Sequence, residues 1–197
     1  MAATHALPPA APVQRPRVLL VGAGFAAAAS VMVFVGLIAI YLAERTDSLA
    51  AGDSWLPQEI SIPLHQPTTI FFTLAMSVVT MQWAVSAVAN DDRINSYLAL
   101  GVTFVFGLST IVMTTYLWTL MGADVSANLQ SVLIYTITGG HVLMVVIAMA
   151  FVALMAFRAL AGGFNARQHD GITAAAIYWY AMVAVYALIW ITIYVTK

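Results

Sequence analysis

Of the Asp, Glu, Lys, Arg and His side chains, the groups that most often hold a metal or pass a proton, one lies well inside an apolar stretch of this 197-residue sequence: His141. No Asp, Glu, Lys or Arg falls well inside such a stretch, and His5, His65 and His169 sit in polar segments. A haem needs axial ligands and a zinc-type site needs about three or four donors, so His141 alone supplies neither. The sequence has no cysteine, which removes disulfides, thiolate metal sites and Cys nucleophiles. No acid, base and nucleophile converge anywhere by spacing. His141 follows Thr138, Gly139 and Gly140. Glycines in membrane helices let a neighbouring helix come close, and an imidazole beside such a contact can hydrogen-bond across it. Three readings stay open for His141: a packing histidine satisfied by a neighbouring helix, a contact to a lipid headgroup or another subunit, and a relay or ligand.

The remaining candidates are polar or small. Gln82, Ser30, Ser77, Thr80, Ser109 and Thr110 lie within apolar stretches and are expected to bond between helices. Such bonds average about 0.6 kcal/mol each. Gly22, Ala26 and Ser30 recur at spacing four, which places small residues on one helix face and makes that face a candidate contact with a partner. The ten methionines read as adaptable filler at irregular contacts.

The elements that must position these residues follow from five long apolar runs. Hydrophobic residues make up 62% of the chain and charged residues 8%, against about 25% charged in soluble domains. A hydrocarbon core of roughly 30 Å takes about 20 helical residues, whereas a barrel strand takes about 9–11. Backbone groups in lipid must be paired internally, so runs of this length form helices. The expected fold is an all-α integral membrane protein, a bundle of five transmembrane helices. The spans are Val18 to Leu42, Pro67 to Ala89, Ile94 to Met121, Ser131 to Phe157 and Ile172 to Thr196. Residues 1–17 are expected to form a flexible tail and 18–197 one helical domain. The first run is too long for the apolar part of a signal peptide.

With the N-terminus inside, the inner segments hold Arg15, Arg17, Arg93, Arg158 and Arg167, and the outer segments hold Arg45 and Lys197. That asymmetry favours an N-in, C-out topology, with Trp55, Tyr116 and Trp118 near the outer interface. A net charge of −1 with seven basic residues gives nucleic acid no electrostatic footprint.

The order of motifs along the runs resembles subunit III of the haem–copper terminal oxidases, in the short bacterial form with five helices. Gly36-Leu37-Ile38-Ala39-Ile40-Tyr41 is similar to the family's Gly-Leu-Phe-Ala-x-Tyr helix end. Trp55-Leu56-Pro57 is similar to Trp-Pro-Pro, and Ser77 with Thr80-Met81-Gln82 stands in place of Ser-Ser-x-Thr. Phe104-Val105-Phe106-Gly107 resembles Phe-x-x-Gly, and Thr138-Gly139-Gly140-His141 resembles Thr-Gly-Phe-His. Tyr178-Trp179 and the segment from Trp190 to Tyr194 resemble the family's closing helix. Departures fall on ionisable positions. Ser30 stands for a family Glu, Ile111-Val112 for a Glu-Tyr pair, Met144 for a second His, and Tyr180 and Val183 for a His and an Asp.

The resemblance implies a subunit that binds no cofactor itself and packs on oxidase subunit I, in a complex that includes subunit II, with haem and copper in those partners. It implies contact with membrane lipids and a location in the bacterial cell membrane. The missing ionisable residues leave a scaffolding role and argue against proton supply or lipid-headgroup binding through those positions. Two alternatives remain. One is an accessory subunit of a related quinol oxidase or nitric oxide reductase. The other is a free-standing transporter, against which the lack of intramembrane charge and of a repeated half both argue.

Overall fold

The computed structural model describes residues 17–56, 62–122, 124–160 and 170–196. Among them, five helices are long and apolar enough to cross a membrane, and none of these residues forms a strand. They are α1 (Val18–Ala50), α2 (His65–Ala89), α3 (Arg93–Met121), α4 (Leu129–Leu160) and α5 (Asp170–Ile189). A π-helical turn, Trp190–Val195, extends α5. The chain is an all-helical, multi-pass membrane protein. Of the expected tail, all but Arg17 lies outside the described residues, as do Pro57, Glu59, Arg167, His169 and Lys197.

Helix ends follow local chemistry. Asp92 caps α3, accepting from the Asn95 backbone N–H at 3.1 Å and from its side-chain amide at 2.6 Å. The Asn95 side-chain and backbone donors hold the Asp92 carboxyl below its ordinary range. Asp91, at φ 54°, makes the left-handed turn between α2 and α3, and Gly122, at φ 62°, closes α3. Asn128 caps α4 through the Ser131 N–H at 2.8 Å. The first span is longer than the sequence suggested. The helix runs past Leu42 to Ala50, because Glu44 and Asp47 are exposed, Arg45 reaches the Thr196 hydroxyl, and no breaker intervenes before Gly52, at φ 85°. The other starts shift outward by one or two residues, with Pro67 retained in the first turn of α2.

Helices α2, α3, α4 and α5 form a closed ring in which α2 meets α3, α3 meets α4, α4 meets α5 and α5 returns to α2. α1 lies outside this ring against α5 and, less closely, α4. The core is the ring's interior, where Leu74, Met81, Leu100, Val145, Trp179 and Met182 are buried. Much of α1 faces outward, with Phe25 and Met32 each 74% exposed.

Candidate functional site

The four ring helices converge on Trp179 of α5. Its indole N–H donates to Ser77 Oγ of α2 at 2.9 Å, and Ser77 in turn donates to the Leu74 carbonyl at 2.6 Å. The far edge of the indole reaches Gly107 of α3. A Cβ at Gly107 would lie 2.8 Å from Met149 Cγ, 2.9 Å from Met149 Sδ and 3.0 Å from Trp179 Cη2. The helix carries glycine there because Met149 of α4 and Trp179 occupy the space a side chain would take. An indole needs a partner for its N–H when buried, and Ser77 supplies it without charge.

His141 lies about two turns from Met149 on α4 and is 1% exposed. Its Nε2 is 3.2 Å from the Met182 carbonyl of α5. A carbonyl only accepts, so Nε2 carries the proton. Phe34 of α1 meets the imidazole edge-on at a centroid distance of 6.3 Å, and Tyr186 of α5 lies at 5.1 Å. His141 therefore links α4 to α5 beneath an aromatic cover. Among the described residues, no group of three or more His, Cys, Asp or Glu could hold a metal ion.

Other expected residues divide into those joined across helices and those that are not. Gln82 Oε1 accepts from the Tyr180 hydroxyl at 2.8 Å on the outer surface of α2 and α5. Thr80 and Thr103 hydroxyls meet at 2.8 Å, and Ser30 meets Tyr178 at 3.2 Å. Ser109 and Thr110 were expected to bond between helices, but each donates to a carbonyl of its own helix, to Val105 at 2.9 Å and Phe106 at 3.0 Å. A hydroxyl one turn from a carbonyl finds that acceptor without a neighbour. Gly22 and Ala26 are exposed, and a Cβ on Gly22 would meet nothing within 4 Å. Gly139 is likewise open, and a Cβ on Gly140 would make an ordinary 3.5 Å contact with Phe34. Gly107 is a close-approach glycine and the Gly139-Gly140 pair is not, because α1 meets α4 through the Phe34 ring.

Comparison with known proteins shows the family. The family model for cytochrome c oxidase subunit III matches residues 13–197. The chain belongs to that family. Cytochrome c oxidase subunit 3 of Lemur catta is 27% identical over 158 residues, covering 79% of this chain and 58% of the relative. The Sus scrofa and Bos taurus proteins of the same name are each 27% identical over 167 residues, covering 83% of this chain and 64% of the relative. The chain thus spans about three-fifths of the length of these curated relatives.

The positions that depart from the family pattern are filled by uncharged contacts. Met144 is buried, Val183 is buried at the edge of the core, Ser30 bonds to Tyr178, and Tyr180 bonds to Gln82. Ile111 packs partly against the core and Val112 faces outward. Sequence reasoning missed the cross-helix partners on α5, namely Trp179, Met182 and Tyr186. The recurrence of large residues at 178, 182, 186 and 190, with Ala174, Ala175 and Ala176 before them, carried that signal.

Proposed function

We propose that this chain is a non-catalytic accessory subunit of a haem–copper respiratory oxidase in a bacterial cell membrane. It packs on subunit I in a complex with subunit II. It thereby supports electron transfer to oxygen coupled to proton translocation, while haem and copper reside in those partners. Membership of the subunit III family across residues 13–197 carries this reading. The outward apolar flank of α1 supports it. Phe25, Met32, Val33 and Val35 are exposed there alongside Gly22 and Ala26, a combination of small and bulky residues suited to close packing with another helix. We assign the exposed Gly22 and Ala26 flank of α1 to subunit I, with Ser30, expected on the same face, turned instead to Tyr178 of α5, and the N-in, C-out topology to the bundle.

Affinity purification in mild detergent tests the proposal, with a visible absorption spectrum and mass spectrometry of the retained chains. Haem bands and a larger polytopic partner are expected. A colourless, monodisperse homo-oligomer would sink the proposal.

A further inference from the structure

Gln82 holds a primary amide at a depth where lipid offers it no partner. α2 has 25 residues, and about 20 of them cross a hydrocarbon core of roughly 30 Å. Gln82 stands seven residues before Ala89, the last of the helix, which places it about 7 Å inside that core. Its side chain is nonetheless exposed. Oε1 accepts from the Tyr180 hydroxyl at 2.8 Å, and that bond fixes the carboxamide at this depth. Nε2 carries two N–H donors, and among the described residues nothing accepts from them. Acyl chains contain no acceptor, and an unpaired donor in hydrocarbon is costly.

The surroundings give the shape of a partner for it. α1 and α2 both pack on α5 and scarcely touch each other. The α5 surface left between them carries Ile177, Ala181, Ala184 and Leu188, with Ala184 and Leu188 exposed. Spacings of four, three and four residues put these side chains on one helix face. α5 is thus the floor of a trough whose walls are α1 and α2. The floor is lowest at Ala181 and Ala184, where each side chain is a single methyl group, and Tyr180 joins it there to Gln82 on the α2 wall. Small residues at such a point let the backbone of another helix come close in lipid. A second copy of this chain would present the same trough across a two-fold axis, and two facing troughs enclose a void.

We propose that the trough between α1 and α2 receives one transmembrane helix of a different polypeptide. That helix is seated on Ala181 and Ala184, with a side-chain acceptor opposite the Gln82 amide. Backbone carbonyls within a helix are already paired, so the acceptor is a hydroxyl or carboxamide oxygen of Ser, Thr, Asn or Gln. The proposal does not rest on the oxidase reading, because a captured helix supports it equally whether or not its chain carries haem.

The test places a benzophenone amino acid at position 188 of the full chain, beside the alanine floor. The chain is photolysed in native membranes, and mass spectrometry sequences the adduct. A cross-link to the apolar span of one other polypeptide is expected, with Ser, Thr, Asn or Gln in the linked segment. Gln82→Leu should lower the yield of that adduct about threefold or more. Ala184→Trp, which fills the floor, should abolish it, whereas Val112→Trp on the outward side of α3 should leave it unchanged. All three substitutions fall on exposed positions, and an unchanged denaturation midpoint in detergent checks that each variant folds. Adducts confined to lipid or to a second copy of this chain would overturn the proposal. So would a yield that neither Gln82→Leu nor Ala184→Trp reduces, or a captured span with no polar acceptor.

Discussion

Helices α1 and α5 are both long and apolar, yet the chain buries them very differently. Of the most apolar 18-residue window in each, 11% of α1 is buried against 61% of α5. Mean hydropathy runs the other way, 2.4 for α1 and 1.8 for α5. In water the greasier helix would be the buried one. In lipid, apolar surface gives no preference for a neighbour over the bilayer, so packing shape and hydrogen bonds decide. α5 supplies both. Ala174, Ala175 and Ala176 admit close neighbours, while Tyr178, Trp179, Tyr180 and Tyr186 each place a polar tip on another helix. In the π-helical turn beyond α5, Trp190 donates to Thr68 of α2 at 3.2 Å and stacks on Phe71. α1 offers fewer such tips to the ring, chiefly Ser30, with Arg45 reaching Thr196 at 3.4 Å. Its remaining surface faces outward, and the proposed role places a partner there.

The largest effect expected from breaking this contrast is at Trp179. Trp179→Ala removes the indole that joins all four ring helices and opens a cavity. Losses of about 3–5 kcal/mol are usual in soluble cores, and part of that is water-transfer energy absent in lipid, so a loss of about 3 kcal/mol is expected. Unfolding of the purified chain with a denaturing detergent measures it. Gly107→Ala should come next. Its Cβ would press on Met149 at 2.8 Å, and because a methionine can shift, the loss should be about 1–2 kcal/mol in the same assay. His141→Leu keeps the volume but deletes the bond to the Met182 carbonyl, with an expected loss of about 0.6–1.7 kcal/mol. An unchanged pH dependence of oxidase turnover in His141→Leu complex would confirm its packing role. On α1, Gly22→Ala and Phe25→Ala should each change the stability of the isolated chain by less than about 0.5 kcal/mol. A large loss there would show that α1 is gripped by its own bundle.

The five helices were legible in the sequence because uncharged runs of such length have one solution in lipid. The extension of α1 to Ala50 was not, since charged residues mark the edge of a membrane but do not end a helix. His141 was legible as the one deep imidazole, and the link to Met182 was not, because a backbone carbonyl leaves no trace in residue type. Glycines carried the least reliable signal. Gly107, Gly101 and Gly139 look alike in sequence, yet the first meets two side chains, the second lines a groove and the third faces open space. A missing Cβ marks room, and only the neighbouring helix shows what fills it.

The absence of cysteine makes the outer flank of α1 directly testable. Ala26→Cys, labelled with a photo-reactive maleimide in native membranes, reports what lies against α1. The proposed role predicts a covalent adduct with a larger polytopic chain that carries haem after purification. Labelling confined to lipid, or to a second copy of this chain, would contradict it.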